Sequence, residues 1–320
     1  MQRKRTVAQL VAPRQFELAD EVCDIGPNDV WVRVEACGVC NSEMAFYLGI
    51  GLKPSDYPLK IGHEGVGVIE EVGADVDGWR VGDRVTSLPL PSYSTHVVAN
   101  PAHLTRVPDG MELDHALGEP LQCGARCARA CSIEFGDHVL FVGCGFMGLM
   151  PLAALAGNTA AEIIAADLHP ERLELARELG ATVTLHASKV DLVAEVMRIT
   201  AGRGVEVAVE ATGAAEPMLL ASRCLRSPRP KLVLIGYHNK PATHDLAVWG
   251  NGAVVHNPHP GYSLDPQEDI RRGLWAAQKG IFPMQRFITH RFPLAETGRA
   301  FEMAHAQADG YIKGIVKPNW

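Results

Sequence analysis

The chain has 320 residues, 47% of them hydrophobic and 21% charged, with a formal charge of −7. That length suffices for two domains with separate cores, and an acidic balance without basic runs interleaved with aromatics argues against nucleic acid as a partner. No run of about 18 apolar residues marks a membrane span, the basic start MQRKRTVAQLVAPR lacks the apolar core of a secretion signal, and the eight cysteines suggest no disulfide framework; a cytoplasmic protein with reduced thiols is expected.

Residues 1–118 read as β-rich. VWVRVEA (30–36), GVGVIEEVG (65–73) and THVVAN (95–100) are short apolar runs separated by the turn signals GPND, GADVDG, GDR and PLPS. From about 137 the rhythm changes to strands alternating with helices. HVLFVG (138–143), EIIAADL (162–168), TVTLHA (182–187), VEVAVEATG (205–213), KLVLIGY (231–237) and GAVVHN (252–257) read as strands. Between them, 146–157, 170–181, 189–201 and 214–226 read as helices, the second with Pro at its start and Gly near its end. This alternation predicts βαβ units and a parallel sheet, an α/β fold. A helix over 266–279 and the segments FITHRFP, LAETGRAFEMAHAQ and YIKGIVKP follow, read as a return to the first domain. No internal repeat or low-complexity segment occurs.

Gly143, Gly145 and Gly148, with Phe146 and Met147 between them, form G-x-G-x-x-G at a strand-to-helix turn. The first Gly allows the turn, the second lets a pyrophosphate approach the backbone, and the third lets helix and strand pack closely. The helix N-terminus adds N–H donors and partial positive charge. Asp167 ends the next strand, where a carboxylate accepts hydrogen bonds from the adenosine ribose and repels a 2′-phosphate. Leu168 and His169 follow, with no immediate Arg to hold that phosphate, so NAD is expected rather than NADP. The competing role for Asp167 is an acid at the start of the helix that begins at Pro170.

Three further fragments fit one metal site: Cys40 in CGVCNSE (37–43), His63 in IGHEGVG (61–67) and Glu119 in LGEPL (117–121). A thiolate, an imidazole and a carboxylate give zinc three ligands and leave a fourth position open, the pattern of a catalytic site. An open zinc and a dinucleotide together suggest hydride transfer at an alcohol carbon. Cys37 and Cys40 also spell C-x-x-C, but a zinc ribbon needs a second such pair, which is absent. Cys123, Cys127 and Cys131 share one helical face and read as packing residues, Cys123 being the one near enough to Glu119 to touch a metal. His256 and His259 are read as surface or interface residues, with substrate contact as the alternative.

These fragments resemble the medium-chain dehydrogenase/reductase superfamily, from WVRVEACGVCNSE through GHEGVGVIEEVG, GDRV, EPL and GCGFMG to FPLAETGRAFEMA. Glu119 as third ligand resembles the sorbitol and threonine dehydrogenase branch. The resemblance implies a doubly wound Rossmann sheet at 120–257 and a β-rich GroES-like catalytic domain at 1–119 and 258–320. It implies Cys40, not Cys37, as ligand, and Glu64 as a carboxylate that replaces a ligand during exchange or else lies behind the ligands. It implies Ser42 as the hydroxyl that relays the substrate proton, and the carbonyls around Ile235, Gly236 and Tyr237 as receivers of the nicotinamide amide. The implied reaction transfers a hydride between NAD and a polyol, sugar-derived alcohol, cyclitol or amino alcohol, in a homodimer or homotetramer. Alternatives are an NADPH-dependent aldehyde or ketone reductase and a non-catalytic nucleotide-binding relative.

Three departures stand out. The family's four-cysteine structural zinc lobe is missing, since no Cys occurs between Cys40 and Cys123, so one zinc per chain is expected. Glu43 stands where the family usually has the Asp that orients the ligand His. Phe46 stands where relatives often carry a polar residue, which leaves water or the nicotinamide ribose for the outer proton relay.

Overall fold

The computed structural model describes residues 1–157, 159–238, 243, 246–308 and 310–319. They divide into two compact units, Met1–Gln122 with Asp265–Trp320, and Cys123–Leu264. The sequence reading set these boundaries at 119/120 and 257/258; the clusters of contacts change over at 122/123 and 264/265.

The first unit opens with a hairpin, β1 (Gln2–Ala12) and β2 (Gln15–Asp24), that sequence reasoning did not single out. Its tight turn contains Arg14 at φ 64°. Pro13 marks a turn there, but Arg14 stands at the left-handed position where a glycine or asparagine would complete the signal. Then come β3 (Val30–Gly38), the short helix α1 (Met44–Tyr47), β4 (Gly65–Val72), β5 (Arg84–Leu88), β6 (His96–Ala99) and β7 (Thr105–Arg106). β3 is buried along nearly its whole length, and its Val-rich, β-branched sequence suits a strand covered on both faces. It pairs antiparallel with β4, placing Cys37 opposite Gly65. The residues just beyond those partners, Cys40 on one side and His63 and Glu64 on the other, therefore come to the same end of the sheet. Only residues 89–95 join β5 to β6, where the four-cysteine lobe would sit. That segment closes on itself: Ser92 Oγ donates to Pro89 O at 2.9 Å and Ser94 Oγ to Pro91 O at 2.6 Å. The helix α2 (Gly118–Cys131) follows, with Glu119 in its first turn.

The second unit alternates β8 (His138–Val142), α3 (Phe146–Leu155), β9 (Glu162–Asp167), α4 (Pro170–Glu178), β10 (Val183–His186), α5 (Leu192–Ile199), β11 (Val207–Glu210), α6 (Ala215–Arg223), β12 (Lys231–Leu234) and β13 (Val254–His256). The strands are all parallel in the order β10-β9-β8-β11-β12-β13. This is the doubly wound order, with its switch point between β8 and β11, where ligands bind beyond the carboxyl ends of the strands. β8 is buried at every position, as a parallel strand with helices on both faces must be. α5 starts later than the expected 189–201 because Asp191 caps it, accepting from Ala194 N at 3.0 Å.

The chain then returns to the first unit through α7 (Pro266–Gln278), α8 (Met284–Phe287), β14 (Ile288–Pro293), α9 (Thr297–Ala306) and β15 (Lys313–Lys317). In the segment FITHRFP, Phe287 completes a helical turn and the strand begins at Ile288. β15 pairs antiparallel with β3, Ile315 facing Gly38. Lys313 thereby reaches the end of the sheet that holds Cys40 and His63. Phe16, Tyr47, Tyr93 and Phe301 pack ring against ring in the core beside it.

Candidate functional site

Within the first unit, Cys40, His63 and Glu64 each offer a ligand atom, and these atoms lie within 4.8 Å of one another. His63 Nδ1 donates to Glu43 Oε1 at 2.8 Å. A carboxylate only accepts, so Nδ1 carries the proton and Nε2 keeps its lone pair for a metal. Glu43 is itself held by Gly62 N at 2.7 Å and by Tyr93 OH at 3.0 Å from Oε2. Glu43 thus spans from His63 to a fully buried tyrosine. Burial opposes a charge on His63, yet hydrogen bonds to Cys40 and Glu43 outweigh it and raise the imidazole above its ordinary value. Burial raises the Cys40 thiol, Glu64 and Glu119 add to that, and His63 and Lys313 pull against it. With the thiol protonated, Glu43 is the steady source of the rise in His63. A metal that takes both lone pairs displaces these protons.

Ser42 Oγ lies 3.1 Å from Cys40 Sγ. Cys37 is buried, and its thiol is directed to Gly38 O at 3.7 Å rather than toward His63. Glu119 is half-buried at the start of α2, and its charge bears on Cys40, but it is outside the compact group of Cys40, His63 and Glu64. Phe46 is 42% exposed. Cys127 and Cys131 are buried and hydrogen-bonded to each other, while Cys123 is half-buried on the same helix. Sequence reasoning missed Lys313 and Tyr93. The signal for the first was a lysine in the otherwise apolar IKGIV; nothing marked the second. Lys313 Nζ donates to Glu64 Oε1 and to Val39 O, both at 2.8 Å. Glu64 Oε2 is buried and lies 2.6 Å from the same ammonium, so both carboxylate oxygens face Lys313. A thiol and an imidazole side by side, with a buried carboxylate at hand, form a donor set that suits zinc.

Within the second unit, Gly143 N donates to Ala166 O at 2.9 Å, tying the fingerprint loop to β9. A Cβ on Gly148 would lie 2.0 Å from Gly143 O, so only glycine lets α3 approach the strand. A Cβ on Gly145 would meet nothing within 4 Å, which leaves the room a pyrophosphate needs at the start of a ten-residue helix. Phe146 is buried and Met147 half-buried there. Asp167 accepts from Cys144 N at 2.6 Å and from both His169 N and His169 Nδ1 at 2.9 Å. A carboxylate has about four acceptor sites, so three protein donors leave one for a ribose hydroxyl. Leu168 is exposed beside it. Arg172, in the first turn of α4, is buried, and its charge acts on Cys144; it lies five positions past Asp167, too far for a search limited to the adjacent residues. Gly236 packs against Gly213 N, and Tyr237 is half exposed. The turn carrying them is anchored by Glu210, which is fully buried and accepts from Thr212 N at 2.7 Å and His238 Nε2 at 2.8 Å. His256 and His259 also lie in this unit, the His259 ring tilted against that of Tyr262 with centroids 5.8 Å apart.

Residues 26–112 match the profile of the alcohol dehydrogenase GroES-like domain, and residues 147–255 that of zinc-binding dehydrogenases. An alcohol dehydrogenase of Cupriavidus necator is 28% identical, with 98% of each chain covered. A sorbitol dehydrogenase of Bacillus subtilis is 28% identical over 93% of this chain and 92% of its own. The crystal structure of 2R,3R-butanediol dehydrogenase from Bacillus subtilis superposes with a TM-score of 0.85 at 25% identity, covering 98% of this chain and all of that one. Among the described residues no helix is long and apolar enough to cross a membrane.

Proposed function

The chain belongs to the medium-chain dehydrogenase/reductase superfamily, with the zinc-type alcohol dehydrogenases among its relatives, and on that premise we propose that it oxidises a polyol or vicinal diol with NAD⁺. The observation that carries this is Cys40 and His63 brought within ligand distance of one another beside a buried carboxylate, Glu64, with Ser42 against the thiol. Cys40, His63 and Glu119 would hold the zinc, with Glu64 behind them. Zinc in such a site supplies a Lewis acid that lowers the pKa of a hydroxyl. Ser42 carries the hydroxyl proton outward, and Glu43 keeps His63 in the Nδ1–H tautomer. Gly145 and the start of α3 receive the pyrophosphate, Asp167 the adenosine ribose, and the carbonyls of 235–237 the nicotinamide amide. Support for a polyol comes from the acid in the ligand set and from likeness to proteins named sorbitol and butanediol dehydrogenases. A screen of NAD⁺ reduction over polyols, vicinal diols, secondary alcohols, cyclitols and hydroxy amino acids tests it; activity confined to simple monohydric alcohols would overturn the substrate class.

One equivalent of zinc per chain is expected, because seven residues stand where the four-cysteine lobe would be. Elemental analysis of the purified protein checks this, and two tightly held equivalents would contradict it.

Asp167→Ser should weaken NAD binding about 10- to 100-fold, since a hydrogen bond to a charged group is worth about 1.5–3 kcal/mol, and should bring NADP closer to parity. Cys144 N and His169 lose a partner in the same variant, so its melting temperature should fall as well. If the unaltered protein reduces NADP⁺ with the higher kcat/KM, the assignment of NAD is wrong.

A further inference from the structure

The pairing of Lys313 with Glu64 is a costly arrangement. The two side chains are 6% and 2% exposed, and taking an ammonium and a carboxylate out of water costs several kcal/mol per ion before their attraction is counted. Space has been cleared for it: a Cβ on Gly38 would lie 1.8 Å from Glu64 Oε2 and 3.0 Å from Lys313 Cε. Three segments far apart in sequence meet here, with β15 bringing the lysine, the start of β4 the acid and the end of β3 the glycine. A hydrophobic pair of similar volume would satisfy the core as well.

The proposed reaction gives Lys313 no step, yet its charge reaches the reacting centre. Lys313 lowers the Cys40 thiol while Glu64 raises it. Glu64 already offers an oxygen within 4.8 Å of the ligand atoms of Cys40 and His63, yet both its oxygens lie against the Lys313 ammonium. A free buried carboxylate beside a divalent cation would coordinate it and fill the position that an alcohol needs.

We propose that Lys313 is a positioning residue that holds the Glu64 carboxylate off the metal, so that the centre keeps an open coordination position for its substrate. This rests on the reading of Cys40 and His63 as ligands of a catalytic metal. The ammonium does so by geometry, gripping Oε1 from Val39 O, and by charge, giving the carboxylate a cation other than the metal.

The test is binding of imidazole to Co(II)-loaded protein, followed by the visible absorption of the cobalt. In the unaltered protein, imidazole enters the open position and shifts the bands. In Lys313→Met, Glu64 occupies that position, and the concentration of imidazole for half the shift should rise about 10- to 100-fold, the range usual for losing a group that orients ligands. Lys313→Arg should respond as the unaltered protein does. The double variant Lys313→Met/Glu64→Gln, which removes both charges, should recover the imidazole response; a merely structural lysine would not give that reversal. If Lys313→Met does not fold, Lys313→Gln keeps a donor for Val39 O without the charge and is read in the same way. An unchanged imidazole response in the neutral variants, or a weakened response that Glu64→Gln fails to restore, overturns the latch alone. Failure of the unaltered protein to take up cobalt, or of its bound cobalt to respond to imidazole, overturns the proposed metal centre and the latch with it.

Discussion

Cys40→Ser is expected to lose most of the bound zinc and to cut alcohol oxidation about a thousandfold or more, while leaving the protein folded. A hydroxyl does not ionise near neutral pH, so the site keeps its shape and loses its softest and only sulfur ligand. The Lewis acid contributes several kcal/mol to the reaction, and each 1.36 kcal/mol is about tenfold in rate. Glu119→Gln should resemble it in zinc content if Glu119 is the third ligand. His63→Ala should do more damage. It removes a ligand and also strips Glu43, a buried acid, of one of its three partners. Leaving a buried polar group short of a hydrogen bond costs about 1–3 kcal/mol, so this variant should melt lower even when compared metal-free with metal-free. NAD binding reports from a separately packed unit and should persist in all three, which distinguishes a lost metal from a lost fold. A Cys40→Ser protein with a full equivalent of zinc and normal turnover would put the metal elsewhere.

Much of this was legible in the sequence because the chemistry is written in short local fragments. The parallel sheet follows from alternating apolar runs and helical stretches, and the observed order β10-β9-β8-β11-β12-β13 is what a doubly wound unit with a glycine fingerprint predicts. The fingerprint glycines are explained by distances that leave no room for a Cβ at 148 and open space at 145. What stayed illegible depended on strand pairing. The register of β3 against β4 and β15 brings Lys313 to Glu64 across 249 positions of sequence, and no local pattern encodes such a pairing. Tyr93 is similar: only once 89–95 folds back does its hydroxyl reach Glu43, 50 residues away. The N-terminal hairpin was missed for a different reason, since Pro13 is followed at the left-handed turn position by an arginine rather than a glycine. Asp167 was read as a ribose ligand or a helix-start acid; its carboxylate holds Cys144 N and His169, a staple of the fingerprint loop that neither reading included.

Ser42→Ala should lower kcat by roughly 10²–10⁴-fold, the usual contribution of a positioned proton-transfer group, and by less if water fills the gap. Zinc content and NAD affinity should stay near those of the parent. The loss should shrink as pH rises, because the hydroxyl of the substrate then ionises with less help. Two structural roles compete with this. The first, a helix cap, is weakened by the geometry: Ser42 lies inside the turn Asn41–Glu43, and the capping position is Cys40. The second is donation of the Ser42 hydroxyl to Cys40 Sγ, at 3.1 Å. A serine that only supports the thiolate would affect zinc retention and, through one lost hydrogen bond, stability by about 1 kcal/mol, with turnover per bound zinc nearly intact and its pH profile unmoved. Ser42→Thr keeps the hydroxyl and should restore most of the rate if the hydroxyl carries the proton. Measuring kcat per zinc against pH for the three proteins, with melting temperatures alongside, separates these roles. Unchanged turnover per zinc in Ser42→Ala would leave the serine structural, and the proton would then have to leave through water.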